Sequence, residues 1–398
     1  MRIGRRQLAS LFVCSLVPWT VGNGLLPLLP VYAAKLGADP TLAGLYLAFS
    51  YLALALGATS AGWVSGSRYR RRLPLIIVGV AAVPLPWLMG QVSSVWALSL
   101  LTALLWFCGG MGLALLGILT GLSAGENERG KAFGVLALTS GLGAFVGGLG
   151  TGWLVRDWGY AAMFGVLGVV MLVWPVAALG LEEKEDVRPP DEDTSPSRRS
   201  PGTDYLLLCA ASTVLSVAGF FIVLIRSFEM SDQGFGPLEI SSTGAVGGLI
   251  SMPLPLLMGW LSDRIDRRPL LAVGYLSALA ALILLPASSV LWQFWLVFVL
   301  QGIAVGSNSS IGSAWVTDLV PRELLGKGLA FFGATVWVGG VVGFAVAGSL
   351  VQHLGYGLAS VLGGCLALAA TVLLIPIRAG SRDVPPAGGR RQASRDRT

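Results

Sequence analysis

Charge is what this chain is short of. Only 12% of its 398 residues are Asp, Glu, Lys or Arg, where a soluble domain carries about 25%. With 54% of residues apolar and a mean hydropathy of +0.74, too few charges remain to coat a water-soluble exterior. Histidine is nearly absent. His353 is the only one and falls in a predicted short loop, so neither a histidine metal site nor a Ser–His catalytic triad can be assembled. The four cysteines, Cys14, Cys108, Cys209 and Cys365, are scattered through apolar runs. That excludes a disulfide framework or thiolate cluster and leaves them as small buried hydrophobes.

What the chain has is long apolar runs. They fall near 8–30, 42–64, 74–92, 95–122, 132–154, 160–181, 204–227, 238–261, 269–287, 291–318, 328–351 and 356–378, none with a charge near its centre. A membrane-spanning helix needs about 20 such residues. Backbone groups in lipid must be satisfied internally, which leaves helices or barrel strands, and runs this long and uniformly apolar do not alternate as barrel strands do. The expectation is an all-α membrane protein of twelve transmembrane helices. The first run follows Arg2, Arg5 and Arg6 but continues through Leu29, beyond a signal-peptide core, and reads as an uncleaved span.

Alternate loops divide the cations unequally. With both termini cytoplasmic, all of the 27 Lys and Arg except Lys35, Arg156 and Arg226 lie on that side. Under the positive-inside rule this predicts a multi-pass protein of the plasma (inner) membrane. It also accounts for the basic pI without nucleic acid as a partner, since no basic stripe interleaved with aromatics is present.

The chain divides into two halves. Residues 182–203 are acidic and rich in Pro and Ser, a composition expected of a cytoplasmic linker. On either side lie six-helix bundles, 1–181 and 204–378, and residues 379–398 form a Gly/Pro/Arg-rich cytoplasmic tail. Gly62-Trp63-Val64-Ser65 returns as Gly259-Trp260-Leu261-Ser262, Gly130-Lys131 as Gly326-Lys327, and Gly159-Tyr160 as Gly355-Tyr356. The offsets are 197, 196 and 196 residues. Parallel repeats of six helices are a transporter architecture, with substrate held near the midplane between them.

Gly259 to Arg268 resembles the G-x-x-x-D-R-x-G-R-R loop motif of the major facilitator superfamily, with Asp266 at the second glycine. The copy from Gly62 to Arg71 keeps the first glycine and the terminal arginines but has Gly66 in the aspartate slot. The resemblance covers essentially the whole chain and is nearest to the drug efflux group. It implies a gate in which Asp263 faces the start of span five near Lys131, where a helix dipole favours an anion. Asp318 is expected to pair with Arg264 or Arg267. The efflux group's arginine before a span-four glycine is Trp106 here, and its G-x-x-x-G-P-x-x-G-G motif survives as Gly143, Gly147, Gly148, Gly150 and Gly152, expected to pack helices closely.

In the superfamily, spans one, four, seven and ten face the cavity. That makes Trp19 and Asn23 (one face of span one), Trp106, the Gln301/Asn308/Trp315 stripe and Arg226 the candidate substrate residues. Such a chamber suits amphipathic ligands. Arg226, three residues before Glu229 near the outer end of span seven, is expected to snorkel to the interface; the alternative is a pair with Glu229 that titrates or holds an anion. No carboxylate stands at mid-depth, so coupling to a proton gradient is implied only by the resemblance. No cofactor or metal is expected.

The functional expectation is a monomeric secondary transporter, not an enzyme, moving a small molecule through the bilayer by alternating access, in the efflux direction. A facilitator or importer of a neutral metabolite is the alternative within the class, and a transport-dead receptor or scaffold the alternative outside it.

Overall fold

The computed structural model describes residues 4–66, 72–123, 129–182, 202–262, 264–321 and 324–377. Every regular element among them is a helix: α1 Arg5–Leu25, α2 Leu29–Lys35, α3 Pro40–Gly66, α4 Arg72–Ala82, α5 Pro84–Met89, α6 Val95–Ser123 and α7 Arg129–Leu179. Then follow α8 Thr203–Asp232, α9 Pro237–Ser251, α10 Leu254–Ser262, α11 Arg267–Leu284, α12 Leu291–Ser307, α13 Ser313–Leu319 and α14 Leu325–Leu373.

Nine helical stretches among the described residues are long and apolar enough to cross a bilayer. Two of them are double. Gly159 (φ 82°, ψ 174°) folds α7 back on itself and Gly355 (φ 77°, ψ 173°) does the same in α14. Only glycine adopts that conformation without a Cβ penalty, so the recurring Gly-Tyr pairs are the corners between spans five and six and between eleven and twelve. His353 therefore lies in a helix, two residues before the second corner, and not in a loop. Span eight is the twelfth crossing, cut into α9 and α10 at Met252-Pro253, where the proline supplies no N–H and its ring crowds the preceding turn.

The two halves pack alike. Span one lies on span five (α1 on α7) and span seven on span eleven (α8 on α14); span two lies on span four (α3 on α6) and span eight on span ten (α9 on α12). The likeness reaches single hydroxyls. Ser15 and Thr139 share a buried hydrogen bond of 2.7 Å between spans one and five. Ser212 and Thr335 share one of the same length between spans seven and eleven.

The halves meet along two seams, span five against span eight and span two against span eleven. Glycines make both possible. A Cβ on Gly148 would stand 2.8 Å from the Ser241 carbonyl oxygen, and one on Gly152 2.7 Å from Leu238 Cα. In the other seam Gly44 and Gly348 face each other, a Cβ on either lying 2.9 Å from the other's Cα. Backbones this close gain dispersion energy that larger side chains would forbid. The backbone amide of Thr41 donates to Gln352 Oε1 at 3.1 Å beside that seam. These contacts lie toward the ends of the spans remote from the basic loops. Near the basic ends, polar contacts within each half include Gln7 Nε2 to Ser123 Oγ, the Tyr205 hydroxyl to the Gly328 carbonyl, and Arg267 to Asp318.

Candidate functional site: a mid-depth cavity

At mid-depth, walled mainly by the first half, lies a partly open cavity of about 70 Å³. Span one contributes Trp19 and Asn23, span two Tyr51, span four Trp106, span six Met171 and span eleven Trp337. None of the residues lining it is charged. Trp19 and Asn23 come to one wall because four residues make about one helical turn. Asn23 Nδ2 donates to the Ser140 carbonyl at 3.2 Å, which leaves its Oδ1 without a partner among the described residues. Tyr51 is held by rings of the opposite half, with centroids 4.8 Å from Phe220 and 5.2 Å from Phe344, and is therefore both cavity wall and seam. Aromatic faces with one amide accommodate a ligand that is largely apolar and has a few polar atoms.

Of the seven candidate substrate residues, the structure brings Trp19, Asn23 and Trp106 together at this cavity. The other four lie elsewhere. Asn308 is buried among spans seven, nine and ten: its Oδ1 accepts from the Tyr275 hydroxyl at 2.7 Å and its Nδ2 donates to Ser212 Oγ at 2.9 Å. Gln301 Nε2 donates to the Gly219 carbonyl at 2.9 Å, across the seam between spans ten and seven. Trp315 is fully buried in the core. Their seven-residue spacing does make one stripe, but the upper two residues face span seven rather than the cavity.

Arg226 corrects the expectation that it snorkels. It is 0% exposed. Its position continues the Ser212–Gly219 row of span seven at seven-residue steps, the face that meets span ten, so its side chain runs into the bundle. One terminal nitrogen donates to Thr243 of span eight, the other to Ser227 Oγ at 3.1 Å, and the guanidinium sits 4.0 Å from the centre of the Phe298 ring. Its Nε has no hydrogen-bond partner and neither has Glu229 Oε2; among the described residues the two side chains form no ion pair. The helical phase of Arg226 was readable in the sequence, but the neighbour that this face meets was not.

Of the gate residues, Asp263 lies outside the described residues. Asp318 meets Arg267 at 2.5 Å, and Arg267 also donates to the Ala314 carbonyl. Arg264 stacks on Trp260 instead, 3.7 Å from the ring centre. The motif glycines divide their work: Gly143 and Gly147 press on span one at Trp19 and Thr20, Gly148 and Gly152 on span eight, and Gly150 meets nothing. Sequence reasoning missed Tyr51 as a wall residue because span two is not among those expected to face the cavity, and it missed Trp337 of span eleven for the same reason.

Comparison with known proteins agrees with this architecture. The family model described as Major Facilitator Superfamily matches residues 11–254 and 206–397. The multidrug resistance protein MdtG of Citrobacter koseri is 27% identical over 71% of this chain and 72% of its own. Sugar efflux transporter A of Dickeya chrysanthemi is 26% identical over 56% of this chain and 58% of its own. The class D tetracycline resistance protein of Salmonella ordonez is 31% identical over 31% of each. Among solved structures, the nucleoside transporter NupG superposes with a TM-score of 0.76 at 13% identity, covering 93% of this chain and 98% of that one. A bacterial homolog of the human lysosomal transporter Spinster, in an inward-facing and unoccupied conformation, superposes with a TM-score of 0.72 at 15% identity, covering 93% and 94%.

Proposed function

Because the chain belongs to the major facilitator superfamily, and is thus a multi-pass membrane transporter of a small molecule and not an enzyme, we propose that it exports small amphipathic molecules by alternating access. The observation that carries this reading is the uncharged aromatic cavity at mid-depth, walled by the first half and by Trp337 of the second, in a bundle whose halves meet along glycine seams on the side away from the basic loops. The positive-inside bias assigns the basic side, with both termini, to the cytoplasm of the inner membrane. In that orientation the glycine seams stand on the outward side of the bundle. Two relatives bear multidrug or tetracycline resistance in their names, and a third sugar efflux, which supports the outward direction.

The working parts of this reading are a monomer of two rocking bodies, 1–181 and 204–378, joined by 182–203. Trp19, Asn23 and Trp106 contact substrate. Asp263, Arg264, Arg267 and Asp318 form the cytoplasmic gate. A second reading, facilitated movement or import of a neutral metabolite, is favoured by one observation: no cavity residue carries a titratable carboxylate to couple to protons.

The test is accumulation of amphipathic dyes and drugs in an efflux-deficient host, with and without a protonophore. Lower accumulation that the protonophore reverses supports coupled export. Lower accumulation that it leaves unchanged removes proton coupling. No change for any compound, with the protein present in the membrane, discards export in favour of the metabolite carrier.

A further inference from the structure

The cavity wall is unequal in what it offers a ligand. Three of its side chains are indoles, Trp19, Trp106 and Trp337, whose one polar group donates. The Tyr51 hydroxyl can donate or accept, and the Met171 sulfur accepts only weakly. Asn23 supplies the remaining polar side chain. Its amide is fixed in orientation, because Nδ2 donates to the Ser140 main-chain carbonyl at 3.2 Å and a carbonyl can only accept. Oδ1 is therefore the atom left to the cavity, a strong acceptor on which no donor lies among the described residues.

This acceptor is peculiar to one half. Spans one and seven correspond at an offset of 197 residues, the spacing of the matched Ser15 and Ser212. At that offset Trp19 corresponds to Ser216 and Asn23 to Phe220. The correspondence holds in space: Gly143 of span five abuts Trp19, and Gly339 of span eleven abuts Ser216. Where span one presents an amide, span seven presents a ring. That ring is engaged with Tyr51 at 4.8 Å and with Phe344 at 4.9 Å between centroids. Trp337 stands beside Tyr51 on the same wall, 6.4 Å between centroids and inclined by 47°. The site thus has a polar end on span one and aromatic surfaces elsewhere.

We propose that the ligand of this cavity is an uncharged aromatic molecule carrying an O–H or N–H donor, such as a phenol or an anilide, and that Asn23 Oδ1 is the acceptor that selects it. The proposal rests on the reading that this cavity is where the transported molecule binds. The ligand's ring lies among the indoles and Tyr51, where offset and edge contacts are favourable, and its donor points to span one. A charged ligand is disfavoured, because no lining residue carries a compensating charge and ionised groups lose far more than neutral ones on leaving water. A ligand with only an acceptor at that end sets lone pair against lone pair. One with neither donor nor acceptor buries Oδ1 unpaired, which costs more than the bond itself contributes when made.

The test is equilibrium binding of three probes to the full chain in lipid nanodiscs, with empty nanodiscs as the blank. They are para-propylphenol, para-propyltoluene, which replaces the hydroxyl by a methyl of similar size, and trimethyl(para-propylphenyl)ammonium, which fixes a positive charge there. In the unaltered chain the phenol is expected to bind more tightly than the toluene, although transfer out of water alone favours the toluene, and the ammonium is expected to bind weakest. Asn23→Leu and Asn23→Ala, made separately so that misfolding of one leaves the other, are expected to lower the preference for phenol over toluene about three- to tenfold while the toluene still binds. Asn308→Leu, away from the wall, is expected to keep the preference. A toluene that binds the unaltered chain as tightly as the phenol, or a preference that persists in the Asn23 variants, overturns the acceptor role and leaves the cavity standing as the binding site. An ammonium bound more tightly than the toluene overturns the uncharged class. None of the three bound above the blank overturns the cavity as a ligand site and this selection with it.

Discussion

Replacing Asn308 by Leu separates a residue that touches substrate from one that holds the bundle together. The side chain makes two buried hydrogen bonds, from the Tyr275 hydroxyl and to Ser212 Oγ. Between membrane helices such bonds average about 0.6 kcal/mol each. Ser212 keeps Thr335 as a partner after the substitution, but Tyr275, 0% exposed, keeps none in this network. A stranded buried hydroxyl adds about 1–2 kcal/mol, so the total loss is about 2–3 kcal/mol. Removing both members of a buried pair costs less than removing one, so the double variant Asn308→Leu/Tyr275→Phe should be about 1 kcal/mol more stable than the sum of the single changes allows. The assay is reversible unfolding in mixed detergent micelles, with affinity for an amphipathic probe measured by quenching of cavity tryptophan fluorescence. The probe should bind Asn308→Leu as it binds the unaltered protein, because Asn308 is not on the cavity wall. Additive effects within about 0.3 kcal/mol, or a tenfold loss of probe affinity in a folded Asn308→Leu variant, would refute the reasoning.

Other expectations follow from the same geometry. Trp19→Ala should weaken probe binding about tenfold or more, the equivalent of about 1.5–3 kcal/mol of lost aromatic contact, with unfolding free energy changed less than affinity; equal affinity in the quenching titration would remove Trp19 from the site. Gly159→Ala, at φ 82°, should lower stability by about 1–3 kcal/mol, whereas Gly150→Ala, where nothing lies within 4 Å, should be nearly silent in a thermal melt. Phe298→Leu removes the ring under the buried Arg226 guanidinium and should cost about 2 kcal/mol; in an Arg226→Met background the same change should cost clearly less. Asp318→Asn breaks a half-exposed pair and should change stability by no more than about 1 kcal/mol while altering the rate of export in the dye assay. An unaltered rate would take Asp318 out of the gate.

Much of the fold was legible because lipid imposes a simple rule on sequence. Each span needs a long apolar run, and the cations between runs count off the crossings. The repeat was also legible, and its Gly-Tyr pairs mark the two corners where the chain requires a residue without a Cβ. The site was less so. Periodicity places Trp19 with Asn23, and likewise Gln301 with Asn308, on one face of a helix, but it does not say whether that face meets a cavity or a neighbouring helix. Trp19 and Asn23 meet the cavity; Gln301 and Asn308 meet span seven, whose Gly219 and Ser212 are too small to announce themselves as partners. Arg226 was misplaced for a related reason. Its distance from the end of its span permits snorkelling, and only the packing of Thr243 and Phe298 around it settles that it turns inward.

The two seams have an evolutionary consequence. Span five repeats as span eleven and span two as span eight, so the contact of five with eight and that of two with eleven are one contact made twice. That is the signature of an isologous interface, in which each partner offers the same patch to the other. The seam is therefore the kind of surface that a homodimer of six-helix chains presents, with glycine on one side meeting a small or glycine position on the other. Fusing two such chains leaves the contact unchanged and turns an encounter between molecules into one within a molecule, at the high effective concentration that a tether confers. Fusion also frees each copy to diverge, and this chain has done so on one side: position 112 holds glycine within one α-helix, and position 308 holds asparagine at the start of a π-helical turn.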